Sequence, residues 1–119
     1  MRKEQRLRRA KDFAAVRHEG RSWAEKLLVL AIRRNGLEVT RFGFIIGKRV
    51  GNAVLRNKIK RRLREISRLA DVQEGWDVVF IARSGASSAD YQTLNRSAVE
   101  LFRRAKLLNE SSQAAERHE

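Results

Sequence analysis

Between Asn52 and Ala70 the residues Leu55, Ile59, Leu63, Ile66 and Ala70 recur at three- and four-residue spacing, a pattern that an α-helix gathers into one apolar stripe. Asn52 suits the N-cap, because its side-chain oxygen can accept a free backbone N–H. On a wheel of about 100° per residue centred on Ile59, the far side carries Asn57, Arg61, Arg64 and Arg68. Arg56 and Lys60 lie on one flank, Lys58 and Arg62 on the other, and Glu65 is the only acid between Lys48 and Arg68. Such a helix needs an apolar surface to cover its stripe. Its other faces are left almost uniformly cationic.

The flanking sequence supplies that surface. The run Leu27-Leu28-Val29-Leu30-Ala31-Ile32 predicts a strand over 26–33, and Arg41 to Gly47 predicts another, with Phe42, Phe44 and Ile46 on one face. Asn35-Gly36 between them is a turn signal, which suggests an antiparallel hairpin with a longer than minimal connection. Gly75 breaks the chain before a third strand over 76–83, centred on Val78-Val79-Phe80-Ile81. Ala10 to Glu19 reads as a short helix stopped by Gly20, and residues 84–88 as a loop. Asp90 or Ser88 can cap a last helix whose stripe is Leu94, Ala98, Leu101, Phe102, Ala105 and Leu108. The order is helix, two strands, helix, strand, helix, with room for a short extra strand near Arg21-Ser22-Trp23. Residues 1–9 read as a basic arm, 10–108 as a single domain, and 109–119 as a disordered tail. The arm is equally consistent with a solvated tail and with a partner contact.

Charge narrows the function. Lys+Arg 27 against Asp+Glu 14 gives a net +13 over 119 residues, a self-repulsion best understood if a polyanion neutralises it. Nucleic acid is the first candidate, since each cation placed on a phosphate releases a counterion, and an anionic membrane is the second. The absence of cysteine excludes disulfides, thiolate catalysis and cysteine-based zinc sites. No apolar run approaches a membrane span, and no secretory segment follows the basic N-terminus, so a soluble cytoplasmic protein without a membrane partner is expected. An ordinary charge run is a solvated face. Here like charges at three- and four-residue spacing repel without compensating acids, which favours a binding face. Arginine forks can hold phosphates, Asn57 can address a 2′-hydroxyl or a base edge, and the helix N-terminus after Gly51 adds backbone N–H groups.

The run Gly51-Asn52-Ala53-Val54, Arg56-Asn57, Ile59-Lys60-Arg61 and Arg64, preceded by Lys48-Arg49, resembles the signature helix of the bacterial ribonuclease P protein family. Arg6-Leu7 with Lys11-Asp12-Phe13, Arg41-Phe42-Gly43, the strand Asp77 to Arg83 and Leu101-Phe102-Arg103-Arg104 extend the resemblance over roughly residues 5–108. It implies an α/β (α+β) two-layer sandwich with a left-handed βαβ crossover, against the usual right-handed rule. It implies a subunit that pairs with a large catalytic RNA, the complex cutting precursor tRNA to release the 5′ leader. The chain itself would then supply no catalytic residue and bind no cofactor or metal. Mg2+ would act through the RNA subunit, and no protein partner would be required. By position, Lys48, Arg49, Arg56, Asn57, Lys58, Lys60, Arg61 and Arg64 would contact the RNA subunit, and Phe13, Arg17, Val29, Ala31, Arg41 and Ile45 would line a leader-binding cleft. The chain departs from the family at Arg17 and Ala31, where aromatics are frequent, and at Lys58, where arginine is.

Other features read as structural. His18 and His118 are isolated. Asp71, Glu74 and Asp77 surround a loop and could hold a divalent ion, but a solvated loop is the better reading, and Gly43, Gly47 and Gly51 form no phosphate-loop pattern. Phe42, Phe44, Phe80 and Phe102 fall on core faces, while Trp23 and Trp76 fit either the core rim or an RNA surface. Two rivals stand beside the resemblance: a structural RNA binder of ribosomal-protein type, and a stand-alone metal-dependent nuclease, which lacks clustered acids and histidines.

Overall fold

Residues 1–109 are described by the structure, a computed structural model. The elements are α1 (Ala10–Glu19), β1 (Arg21–Ala24), β2 (Leu28–Arg34), β3 (Arg41–Ile46), α2 (Ala53–Leu69), β4 (Trp76–Ala82) and α3 (Tyr91–Arg104). Short 3-10 turns cover Lys3–Gln5, Lys48–Val50 and Ser84–Ser88. One four-stranded sheet has the order β1-β2-β4-β3. β2 runs antiparallel to both β1 and β4, whereas β3 and β4 are parallel neighbours joined through α2.

The expected β2–β3 hairpin does not form, because β4 lies between the two strands. The turn itself is real. Gly36 has φ 73°, a conformation glycine adopts without a Cβ clash, and the Asn35 Oδ1 accepts the Leu37 N–H at 2.7 Å. The loop reverses the chain but delivers β3 one strand further out. The centre goes to β4, where Asp77, Val78, Val79 and Phe80 are all buried. A strand covered on both faces reads as a continuous apolar run and belongs in the middle of a sheet.

The two sheet faces bury different clusters. Leu28, Leu30, Ile32, Phe42, Val78 and Phe80 pack with Ile59, Leu63 and Ile66 of α2 and Leu94, Ala98, Leu101 and Phe102 of α3. The predicted stripes therefore face the sheet. Phe80 lies parallel to Phe44 at 6.4 Å between ring centroids and edge-on to Phe102 at 5.3 Å. Phe44, expected in the core, is only half-buried. The opposite face is smaller: Leu7, Val16, Ala31 and Val79 form its core under α1, with Phe13, Ile45 and Ile81 packed against them.

Both ends of the domain differ from expectation. Leu7 of the basic arm is buried, its N–H donates to the Phe42 carbonyl at 2.8 Å, and Arg6 bridges Phe42 in parallel. The arm thus begins as a short extension along the β3 edge. Leu108 is not on α3. The helix closes at Ala105, and Lys106 takes φ 58°, so that the Leu107 N–H reaches the Phe102 carbonyl and the Lys106 N–H the Arg103 carbonyl. This 6→1 and 5→2 pair closes the helix and folds Leu107 and Leu108 into the core. Asn109, assigned to the tail, donates to the Asp71 carboxylate at 2.6 Å; the remainder of the expected tail, 110–119, lies outside the described residues.

Candidate nucleic-acid interface

The cationic helix is held firmly. The Asn52 Oδ1 accepts the Leu55 N–H at 2.9 Å, which fixes the start of α2, and Ile59, Leu63 and Ile66 fix its rotation. Asn57, Lys58, Lys60 and Arg61 are consequently exposed, and Arg56 and Arg64 half-buried. Lys48 and Arg49 sit exposed in the turn ahead of the helix, anchored by buried Val50. Two cations of the wheel are already engaged: Arg68 pairs with Glu65 at 2.6 Å, and Arg62 donates to the Ala89 carbonyl at 3.1 Å. That pairing pulls the Glu65 carboxyl below its ordinary pKa and pushes Arg68 above its own. Among the described residues, none of Arg56, Lys58, Lys60, Arg61 and Arg64 makes an ion pair. The Nε atoms of Arg56 and Arg64 are buried without a hydrogen-bond partner. Five cations on one helix therefore await an acceptor, and a polyanion supplies acceptors at the matching density.

Strand register assembles the second surface. Cross-strand rows on the α1 side read Arg33–Asp77–Arg41, then Ala31–Val79–Gly43, then Val29–Ile81–Ile45. α1 covers the middle row. The Phe13 ring occupies the space that a Cβ on Gly43 would fill, so any larger residue there would displace the ring from the sheet. The third row is half-buried and apolar. Arg17 stands exposed one turn beyond Phe13. Phe13, Val29 and Ile45 thus share one face of the sheet, with Arg17 at the rim. Ala31 is buried in the row beneath α1. Ile81, in the centre of the apolar row, was not singled out from the sequence, because only the β2–β4–β3 register places it between Val29 and Ile45.

Arg41 has a different setting. Its Nε and Nη2 donate to the two Asp77 carboxylate oxygens at 2.8 and 2.7 Å, and Asp12 lies 3.8 Å away. Asn35 also donates to Asp77, at 3.0 Å. The bidentate carboxylate raises the Arg41 pKa above its ordinary value. The solvated-loop reading holds for Asp71 and Glu74, which are exposed between α2 and β4, and is corrected for Asp77, a buried residue of β4. Asp77 is buried on Arg41, Glu74 accepts the Thr40 N–H at 2.9 Å, and Asp71 holds Asn109. Asp77→Ala would strand the Arg41 and Asn35 donors, and the loss should be about 3 kcal/mol in a denaturant titration. An unchanged midpoint would show that the network is not a structural anchor.

The remaining features fall into place. Trp23 and Trp76 are half-buried at the core rim, with the Arg21 and Arg34 guanidinium carbons 5.3 and 4.7 Å from the respective ring centroids. His18 is exposed, and His118 lies outside the described residues. Among the described residues, no group of three or more His, Cys, Asp or Glu could hold a metal ion, and no helix is long and apolar enough to cross a membrane.

A small α+β domain with a helix carrying five cations outside any ion pair on one side of its sheet and an apolar strip on the other defines a class of basic RNA-binding protein. Comparison with known proteins narrows the class. A family model described as Ribonuclease P matches residues 1–106. The chain is 37% identical over 110 residues to the ribonuclease P protein component of Clostridium botulinum, covering 90% of this chain and 99% of that one. It is 36% identical over 118 residues to that of Herpetosiphon aurantiacus, covering 98% and 96%. The RNase P protein of Staphylococcus aureus superimposes with a TM-score of 0.82 at 30% identity, over 88% of this chain and 98% of that one. The RNase P protein from Thermotoga maritima gives 0.77 at 33%, over 83% and 96%. The chain belongs to the ribonuclease P protein family. It is accordingly a protein component of that tRNA-processing endoribonuclease, and its partner is the ribonuclease P RNA.

Proposed function

We propose that the two surfaces divide the work of the holoenzyme. Lys48, Arg49, Arg56, Asn57, Lys58, Lys60, Arg61 and Arg64 dock the ribonuclease P RNA, while the strip between α1 and the sheet receives the 5′ leader of precursor tRNA. The observation that carries this reading is the row of α2 cations left without ion pairs beside an independently built apolar strip. Phe13, Val29, Ile45 and Ile81 offer faces for unstacked bases, and Arg17 offers a guanidinium for phosphate or stacking. Ala31 supports the strip from beneath, and Arg41, fixed by Asp77, presents its remaining donors at one end. The protein works in the cytoplasm, free of any membrane, and needs no other protein. Hydrolysis runs on Mg2+ ions held by the RNA. This chain contributes binding and orientation, and no side chain of its own generates the nucleophile.

The leader assignment is tested at Phe13. Phe13→Ala should weaken binding of leader-bearing precursor to the assembled complex about five- to hundredfold, from a stacking loss of about 1–3 kcal/mol, with mature tRNA barely affected. Phe13 also packs on Val16 and Gly43, so a melting curve accompanies the titration. Equal weakening of both RNAs, or a wild-type affinity ratio, would remove Phe13 from the leader surface and leave it a core residue only.

A further inference from the structure

β3 is an edge strand, and its outer side runs beside the cations of α2. A strand residue points its N–H and C=O to the same side, and the next residue points the other way. Phe42 directs its carbonyl outward to the Leu7 N–H, so Phe44 and Ile46 point their backbone groups outward too. Among the described residues, the arm pairs with β3 only at Phe42. Beyond it lies a trough of about 220 Å3 lined by Phe44, Ile46, Ala53, Arg56, Asn57 and Lys60. Phe44 is half-buried, with Phe80 parallel behind it. The trough thus combines an aromatic ring, an exposed amide, outward strand N–H and C=O groups, and the Arg56 Nε, which has no acceptor.

From this arrangement we infer that the β3–α2 trough holds one unpaired nucleobase of the ribonuclease P RNA, stacked on Phe44 and met along its edge by Asn57 and the outward backbone of β3. The inference rests on the reading that α2 docks that RNA. A phosphate alone would be satisfied at the exposed rim by Lys60 and Arg61. A planar heterocycle carrying both donors and acceptors matches the interior, where a ring faces an amide and a strand edge. The base must be unpaired, because a paired base offers neither its face nor its Watson–Crick edge.

The experiment is equilibrium binding of the intact chain to ribonuclease P RNA over a range of salt concentrations. Phe44→Leu keeps an apolar side chain against Phe80 and removes the ring. It should bind about five- to hundredfold more weakly with an unchanged slope of log affinity against log salt, since stacking releases no counterion. Phe44→Tyr retains the ring and should bind within a few-fold of wild type. Arg61→Ala should instead flatten the slope, by about 0.7–0.9. If Phe44→Leu melts far below wild type, Asn57→Ala, at an exposed position, serves in its place and should also weaken binding without changing the slope. Wild-type affinity in Phe44→Leu or Asn57→Ala beside a weakened Arg61→Ala would overturn the base-binding trough while leaving the docking role of α2 intact. Wild-type affinity in all of them would overturn both. A flattened slope in Phe44→Leu would also overturn the trough, because the ring would then act only by placing cations.

Discussion

Replacing Arg56, Arg61 and Arg64 together by alanine should weaken the complex with ribonuclease P RNA on the order of a thousandfold or more, since each charged hydrogen bond lost is worth about 1.5–3 kcal/mol. The same variant should flatten the salt dependence by roughly 2–3 units, about 0.7–0.9 for each phosphate contact removed. Stability should respond far less. Arg61 is exposed, and its loss should stay within about 0.5 kcal/mol. Arg56 and Arg64 are half-buried and lose some stem packing, but alanine also removes Nε groups that are buried without partners. Filter-binding titrations beside thermal melts separate the two effects. A variant that binds normally, or one that fails to fold, would contradict the assignment of these side chains to the RNA surface.

The largest loss of stability is expected at Phe80. It sits fully buried on the central strand, with Phe44 parallel to one side and Phe102 edge-on to the other. Phe80→Ala removes a ring from three packed elements and should cost about 3–5 kcal/mol. A domain of this size has only about 5–15 kcal/mol in all, so the melting temperature should fall by at least about 12 °C. Ile59→Ala, on the helix that covers the same face, belongs to the same class, at about 2–5 kcal/mol. A shift of only a few degrees for Phe80→Ala would mean that the sheet core repacks around the void.

Acid should loosen the helix ends in a defined direction. Asp90 caps α3 by accepting the Thr93 N–H at 2.8 Å, and this backbone bond holds its carboxyl below the ordinary value. Glu100, beside Arg103, is lowered likewise. The stabilisation from such groups is fully present above the unfolded carboxylate pKa and is lost as pH falls through the lower folded value.

Local periodicity made the helices legible. The centres of the α2 and α3 stripes, Ile59, Leu63 and Ile66 and then Leu94, Ala98, Leu101 and Phe102, bury as their spacing requires, whereas Leu108 buries beyond the end of its helix; the Asn52 and Asp90 caps accept the N–H groups that their positions call for. A helical wheel was enough to place the cations away from the stripe, but not to show that Arg64 is half-buried or that Arg62 and Arg68 are already bonded. Sheet order was not legible. Asn35-Gly36 carries a strong local turn signal, and nothing near it reports that β4, more than thirty residues later, inserts between the strands it joins. Features that depend on this insertion were hidden for the same reason: the Arg41–Asp77 pair, Ile81 in the apolar row, and the half-exposure of Phe44, which lies on the core face its alternation requires but at an open edge. Leu7 was hidden in a different way. One leucine in a run of arginines has no periodicity, and only the free edge of β3 gives it a place to bury.

The most direct test of the account is reconstitution. Full-length protein, bacterial ribonuclease P RNA and a precursor tRNA are combined at low magnesium, and 5′ processing is followed against RNA-only and protein-only reactions. The account predicts that the protein strongly stimulates release of the leader by the RNA and cleaves nothing alone. Robust cleavage by RNA-free protein, surviving controls for contaminating nuclease, or an RNA reaction that the protein leaves unchanged, would contradict it.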